Sequence, residues 1–295
     1  MNLLITGAWS TAKEHIAELE RMGHRISFLQ QEKDKLPCPY DWAEGVICNG
    51  LFLYHPIEKF TNLKYIQLTS AGFDRVPMDY VEAHGIEMHN ARGVYGIPMA
   101  EFAVAGVLTL YKKLRVFAEK QKLHQWEKQR NLSELFGKEV CIIGCGDVGT
   151  ECAKRFRAFG CRVSGIDVRV RADENYDGMY GLERLDELLA QTDVLVLTLP
   201  QTEQTRHLIG GDRLALLKDT AVLVNIARGA VVDTAALIEA LPYLGGAVLD
   251  VFEEEPLLAD SPLWEMENVI VTPHNSFAGD GDEERLAKCV MGKLR

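Results

Sequence analysis

Short apolar, β-branched runs alternate with amphipathic stretches along almost the whole chain. Residues 3–6 predict a strand, 11–22 a helix closed by Gly23, and 25–29 the next strand. Runs at 46–48, 65–68 and 86–88 continue the series, and this first block ends near Gly93. A long helical stretch follows over 98–126, with Pro98 suited to its first turn. It is apolar early and basic later (Lys112, Lys113, Arg115), which suits a connector and a contact between subunits. A second series then offers strands at 139–143, 162–167, 193–199, 221–226, 247–250 and 269–272, with helices between most of them, such as 148–159 closed by Gly160. Strands separated by helices predict parallel sheets, so the expected class is α/β. The alternation fails over 252–267, where Glu253-Glu254-Glu255, Pro256 and Pro262 show no helical period. A long irregular segment inside a compact domain is usually functional or disordered.

Composition narrows the class. At roughly 100–200 residues per domain, 295 residues predict two domains, and 47% hydrophobic content is enough for a sizeable core without disulfides or metal. The net charge of −11 argues against a nucleic-acid or anionic-membrane partner. The seven cysteines are scattered, form no CxxC pair and share no zinc-like spacing with histidines. Small buried thiols in a reducing, cytoplasmic setting are the expectation, with no metal site. The start of the chain shows no signal-peptide pattern, and the apolar stretch 97–111 contains Glu101 and is too short to span a bilayer.

The sharpest local signal is Gly144-Cys145-Gly146-Asp147-Val148-Gly149. This GxGxxG follows an apolar strand, opens a helix and lies upstream of Asp167, which ends the next strand 18 residues after Gly149. That context is the dinucleotide-binding fingerprint. Gly144 permits the tight turn, Gly146 lets backbone approach a pyrophosphate, and Gly149 lets helix pack on strand. Asp167 suits a ribose 2′-OH and argues for NAD, whereas Arg169 and Arg171 keep NADP open as the alternative.

Ligands of open α/β sheets bind beyond the carboxyl ends of the strands. Three predicted strands of the second series deliver Arg228, then Asp250 and Glu255, then His274 to the edge that bears the glycine turn. Each has a plain structural alternative: a surface arginine, a turn cap, a solvated acidic patch, a satisfied loop histidine. Glu253 and Glu254 fit the solvated reading best. Together the four suit hydride transfer between a nicotinamide and a 2-oxo or 2-hydroxy acid. A guanidinium matches a carboxylate and a carbonyl oxygen, and a histidine moves the proton. A carboxylate beside that histidine would favour imidazolium and fix its tautomer.

Over essentially its whole length the chain resembles the D-isomer-specific 2-hydroxyacid dehydrogenases. The resemblance is carried by Ser70-Ala71-Gly72-Phe73-Asp74, Ala100-Glu101-Phe102, the 144–149 turn, Leu199-Pro200, Asn225-Ile226-Ala227-Arg228-Gly229, the run from Leu249 to Pro256, and Thr272-Pro273-His274. It implies Arg228 as substrate-binding, Glu255 as the carboxylate paired with histidine, and His274 as acid–base. It further implies Asp250 at the nicotinamide amide, and Ser70, Ala71 and Gly72 at the substrate carboxylate. Asp147, Val148, Leu199, Pro200 and Ala227 join the cofactor set, and the D stereochemistry comes from the resemblance alone. The implied architecture is a Rossmann domain, 94–275, inserted into a flavodoxin-like substrate domain, 1–93 plus 276–295, with hinges near Gly93 and Asn275 that let a cleft close. A homodimer through the cofactor domain is implied as well.

Two departures stand out. Asn275-Ser276-Phe277 follows His274 where the family commonly has small residues, and the chain stops at Arg295, before the family's usual final helix and tail. The stretch from Asn49 to His55 looks like the family's first substrate loop but carries no arginine, unlike phosphoglycerate-using relatives. The expected substrate is therefore a small unphosphorylated 2-oxo acid. The alternatives are a phosphoglycerate dehydrogenase-like enzyme, and a nucleotide-sensing, corepressor-like binding protein on the same fold.

Overall fold

The computed structural model describes residues 1–294. The chain divides into two compact units, one made of Met1–Tyr95 with the segment from Gly279 onward, the other of Gly96–Ala278.

The first unit opens with β1 (Asn2–Thr6), α1 (Ala12–Arg21), β2 (Arg25–Leu29), β3 (Gly45–Cys48), β4 (Tyr65–Leu68), α2 (Met78–Ala83) and β5 (Glu87–His89). Every pairing in its five-stranded sheet is parallel, in the order β2-β1-β3-β4-β5, the flavodoxin-like order. β3 and β4 are buried along their whole length, as expected of central strands covered on both faces; the one polar residue among them, Gln67, donates to the Leu68 carbonyl.

The second unit carries α3 (Gly96–Tyr111), α4 (Leu114–Lys122), β6 (Glu139–Ile143), α5 (Asp147–Ala158), β7 (Arg162–Ile166), β8 (Gly178–Tyr180), α6 (Leu185–Leu189), β9 (Val194–Leu197), α7 (Gly211–Leu214), β10 (Val222–Asn225), α8 (Thr234–Ala240), β11 (Gly246–Leu249) and β12 (Val269–Val271). Its seven strands are all parallel, in the order β12-β11-β10-β9-β6-β7-β8. Counted from β6, that is the doubly wound 3-2-1-4-5-6 order with one further strand beside it, so the unit is a Rossmann sheet. The order reverses between β6 and β9, beside the glycine turn. Two apolar clusters make its core. One is led by Ile143, Ile166, Leu197 and Leu249, the other by α3 and α5 residues such as Val107, Cys152 and Phe156.

α9 (Asp282–Lys293) returns to the first unit, where Leu286, Val290 and Met291 join Leu3, Ile5 and Trp9. The last residue of the segment expected to rejoin the first unit, Arg295, lies outside the described residues.

Three local readings need correction. The predicted helix 98–126 is two helices. Lys113 takes the left-handed region (φ 51°), which ends α3 and starts α4 in a new direction, and Trp126 lies beyond α4. Second, β8 is an additional strand. Its three residues, Gly178-Met179-Tyr180, are flanked by Asp177 and Gly181 and make no extended apolar run, yet they pair with Ser164–Ile166. Third, Glu253 is an exposed residue, as expected of the acidic run, but it is not merely solvated: its carboxylate also accepts from His207 and from the backbone N–H of Thr234.

Candidate active site

The glycine turn is built around two close approaches. Gly144 sits at φ +95°, and a Cβ there would lie 2.6 Å from the Leu199 nitrogen. A Cβ on Gly149 would lie 2.1 Å from the Gly144 carbonyl oxygen. Only glycine allows β6, α5 and the chain after β9 to meet this tightly. The Thr198 hydroxyl donates to that same carbonyl at 2.6 Å. Gly146 is different: a Cβ there would meet nothing within 4 Å, and the residue is exposed. It is the N-cap of α5 and supplies no side-chain cap, so the N-terminus of a twelve-residue helix, with its partial positive charge, lies under the open space above Gly146. That cradle fits a pyrophosphate.

Asp167 lies beside it. Its Oδ2 accepts the Cys145 N–H at 2.8 Å and its Oδ1 accepts the Arg169 N–H at 2.8 Å. Each oxygen retains a further lone pair for a ribose hydroxyl. The Arg171 guanidinium donates to the Cys145 carbonyl at 2.7 Å, so it too stands at the turn, as does Arg169 through its backbone. Cys145 itself is a packing residue, because burial pushes its thiol up to about 11. Asp147 and Val148 form the half-buried first turn of α5, Leu199 is buried against the turn, Pro200 is exposed, and Ala227 is buried.

The chain ends of β10, β11 and β12 carry the remaining groups. After β10, the Asn225 side chain accepts the Ala227 N–H at 3.1 Å and donates to the Arg228 carbonyl at 3.1 Å, fixing the extended backbone that presents the half-buried Arg228. Gly229 follows at a crossing. A Cβ there would lie 1.8 Å from the Phe252 carbonyl carbon, so the start of the irregular segment runs directly over the residue next to Arg228.

After β11 comes Asp250, fully buried. Its Oδ1 accepts the Thr272 hydroxyl at 2.7 Å and the Asn275 N–H at 2.8 Å, and its Oδ2 accepts the Ser276 N–H at 2.9 Å. Its own carbonyl accepts the His274 N–H at 2.8 Å. Four bonds from one residue hold the loop after β12 in place. In that loop His274 adopts φ 50°, and its Nδ1 lies 2.9 Å from Glu255 Oε2. Glu255 Oε1 accepts the Phe252 N–H at 3.1 Å, so the irregular segment folds back on itself to aim the carboxylate. With Nδ1 on the carboxylate, Nε2 is the ring atom left to exchange a proton with a substrate. Glu255 and His274 each keep 38% of their side-chain surface exposed, enough for contact with a ligand.

Ser70, Ala71 and Gly72 belong to the other unit, in the turn after β4. The Ser70 hydroxyl donates to the Gly72 carbonyl at 2.8 Å, and the Asn90 side chain donates to the Ala71 carbonyl at 2.7 Å. These two bonds fix the shape of the turn. Sequence reasoning places Asn225 and Thr272 within motifs but gives them no role, and it passes over Asn90; all three form local hydrogen bonds at strand ends rather than react. Their signal was their place at strand ends.

Comparison with known proteins places this geometry. The family model for the NAD binding domain of D-isomer specific 2-hydroxyacid dehydrogenases matches residues 104–276. The glyoxylate reductase of Thermofilum pendens is 36% identical over 241 residues, 79% of this chain and 71% of that protein. The D-3-phosphoglycerate dehydrogenase of Methanocaldococcus jannaschii is 34% identical over 250 residues, but they make up only 48% of its length. Among solved structures, the D-lactate dehydrogenase of Aquifex aeolicus in complex with NAD and lactic acid superposes with a TM-score of 0.79 at 30% identity, covering 99% of this chain and 96% of that one. The chain belongs to the D-isomer specific 2-hydroxyacid dehydrogenase family, oxidoreductases that use a nicotinamide cofactor on the CH–OH group of a hydroxy acid.

Proposed function

We propose that the protein reduces a small, unphosphorylated 2-oxo acid, with glyoxylate, hydroxypyruvate and pyruvate as the candidates to test. The observation that carries the reading is the His274–Glu255 pair at 2.9 Å, built from the segments after β12 and β11, the two strands that follow β10 in the sheet, while β10 delivers Arg228. The bound nicotinamide supplies or takes up the hydride. His274 Nε2 gives a proton to the carbonyl oxygen in reduction and recovers it in oxidation. Glu255 holds the imidazole in the tautomer that leaves Nε2 facing the substrate. The Arg228 fork binds the carboxylate and carbonyl oxygen, and the N–H groups of the 70–72 turn serve the carboxylate. The pyrophosphate rests on Gly144, Gly146, Asp147, Val148 and Gly149, and Leu199, Pro200 and Ala227 line the cofactor. Asp250 acts chiefly by holding the histidine loop, with the nicotinamide amide as its further partner.

NAD is proposed over NADP, because the Asp167 carboxylate stands where a 2′-phosphate would need a cation. The absence of arginine from 49–55 supports an unphosphorylated substrate over phosphohydroxypyruvate. A panel of these four acids with NADH and with NADPH, followed by loss of nicotinamide absorbance, tests the assignment. Turnover of phosphohydroxypyruvate equal to that of the others would overturn the substrate reading. Higher kcat/KM with NADPH would overturn the cofactor preference.

The quaternary proposal is a homodimer through the 98–126 region. α4 and the chain after it expose Leu114, Leu123 and Trp126, the last at 97%, an apolar cost that a second copy would remove. Sedimentation at equilibrium tests it, and a monomer at all concentrations refutes it. A cytoplasmic location is proposed on the seven free thiols, five of them buried. No helix among the described residues is long and apolar enough to cross a membrane.

A further inference from the structure

Three histidines of the Gly96–Ala278 unit, His124, His207 and His274, share a rare backbone state, and two of them are paired with glutamates. His207 sits at φ 49° and His274 at φ 50°. Such residues persist only where their surroundings hold them. Each of these two is held by a glutamate of the same short segment: His274 Nδ1 by Glu255 Oε2 at 2.9 Å, and His207 Nε2 by Glu253 Oε1 at 2.6 Å.

The second pair, though exposed, is the centre of a larger polar cluster. Glu253 Oε2 accepts the N–H of Thr234, the first residue of α8, at 2.9 Å. Arg206 Nη2 lies 3.8 Å from Oε1, and on the far side of the ring Asp233 Oδ2 lies 3.9 Å from His207 Nδ1. Asp233 in turn caps α8 by accepting the Ala236 N–H at 3.1 Å. The His207 backbone is fixed as well, its N–H donating to the Ala230 carbonyl at 2.7 Å. Burial alone would raise the Glu253 carboxyl, yet the hydrogen bonds from Thr234 and His207 hold it below the ordinary glutamate range. The segment so clasped crosses Gly229 without room for a Cβ, beside Arg228, and two residues later it presents Glu255 to His274.

We infer that His207 and Glu253 are positioning residues for the reaction, a clasp that fixes the 252–255 segment so that Glu255 meets His274 and Arg228 keeps its place. The inference rests on the proposed roles of His274, Glu255 and Arg228. Neither residue of the clasp touches the reacting atoms. They act by setting where Glu255 stands, and hence how tightly the catalytic imidazole is oriented. Loosening the clasp therefore slows the chemical step and leaves the phosphate cradle, formed by the 144–149 turn, unchanged.

The test uses the full chain and compares Glu253→Ala, His207→Ala, their double variant, Glu253→Gln and His274→Ala. It measures kcat and KM with the best 2-oxo acid, the pH profile of kcat/KM, and NADH binding by fluorescence. Since small misplacements of reacting groups can cost up to about 100-fold, the two alanine variants should each lose about 5- to 50-fold in kcat. NADH affinity should stay within about twofold, and the limb of the pH profile governed by the catalytic histidine should move. The double variant should be no worse than the poorer single one, because both remove the same clasp. Glu253→Gln, which keeps an acceptor for Thr234, should recover part of the loss. If the alanine variants do not fold, Glu253→Gln and His207→Gln carry the same comparison. Folded variants with kcat within about twofold of the parent and an unmoved pH profile would overturn the clasp, as would additive losses. Full activity in His274→Ala would instead overturn the catalytic assignment beneath it.

Discussion

His274 occupies the left-handed region, where an L side chain crowds its own backbone at a cost of about 1–2 kcal/mol. The compensation comes from Asp250, whose two oxygens accept three donors from the loop on either side of the histidine. An asparagine at 250 keeps the shape but presents an NH2 group to at least one of those donors. Asp250→Asn should thus cost about 1–3 kcal/mol of stability, and kcat should fall on the order of tenfold or more as the ring loses its placement. A denaturant midpoint and a kcat equal to the parent would refute this. His274→Ala should lose on the order of 100- to 10,000-fold in turnover with NADH binding retained, read by steady-state kinetics and fluorescence titration. Glu253 gives the pH prediction. Its carboxyl is lowered in the folded chain, so its contribution is present above the unfolded glutamate value and is lost as pH falls through the folded one. Glu253→Gln should be less stable than the parent near neutrality, and the gap should narrow as pH falls below the unfolded glutamate value and through the lower folded one. A gap that widened in acid would contradict the sign.

Elements explain why two glycines of one motif serve different ends. Gly149 lets α5 approach the β6 turn, with its missing Cβ 2.1 Å from a carbonyl oxygen, whereas the space over Gly146 is empty. Gly149→Ala should therefore disrupt the fold. Gly146→Val should leave the melting temperature of the ligand-free protein nearly unchanged and weaken NADH binding by tenfold or more, on the order of 1.4 kcal/mol or above. Equal effects of the two substitutions on stability would refute the distinction. The same contrast says what a sequence can reveal. The 144–149 turn, the strand runs and the edge carrying Arg228, Glu255 and His274 were legible because glycine spacing and apolar runs are local. β8 escaped because three residues paired on one side need no apolar run, and the α3–α4 break escaped because Lys113 enters the left-handed region without glycine or asparagine to signal it. The His207–Glu253 clasp joins residues 46 apart in the chain, and three successive glutamates read as a solvated patch until His207 and Thr234 are placed beside one of them.

At the scale of the molecule, the two units differ in how the chain builds them. The Gly96–Ala278 unit is one continuous segment, and every residue of its two core clusters lies inside it. The other unit is discontinuous. Leu286, Ala287, Val290 and Met291 of α9 are buried among Leu3, Ile5, Trp9 and Leu19, so its core is incomplete until the last segment arrives. Deleting the chain after Ala278 should remove those buried side chains, at about 2–5 kcal/mol for each large one lost. That sum exceeds what a domain of this kind can spare. The truncated protein should then show the first unit unfolded by hydrogen exchange, while the second keeps its protected strands. Because the phosphate cradle lies wholly within the second unit, NADH at 100 times its dissociation constant should still stabilise it by about 2.7 kcal/mol. The segment 96–278 expressed alone should show the same NADH-dependent shift in its melting transition. Loss of that shift in both proteins would mean that the cofactor unit draws its stability from outside its own segment, contrary to the core assignment.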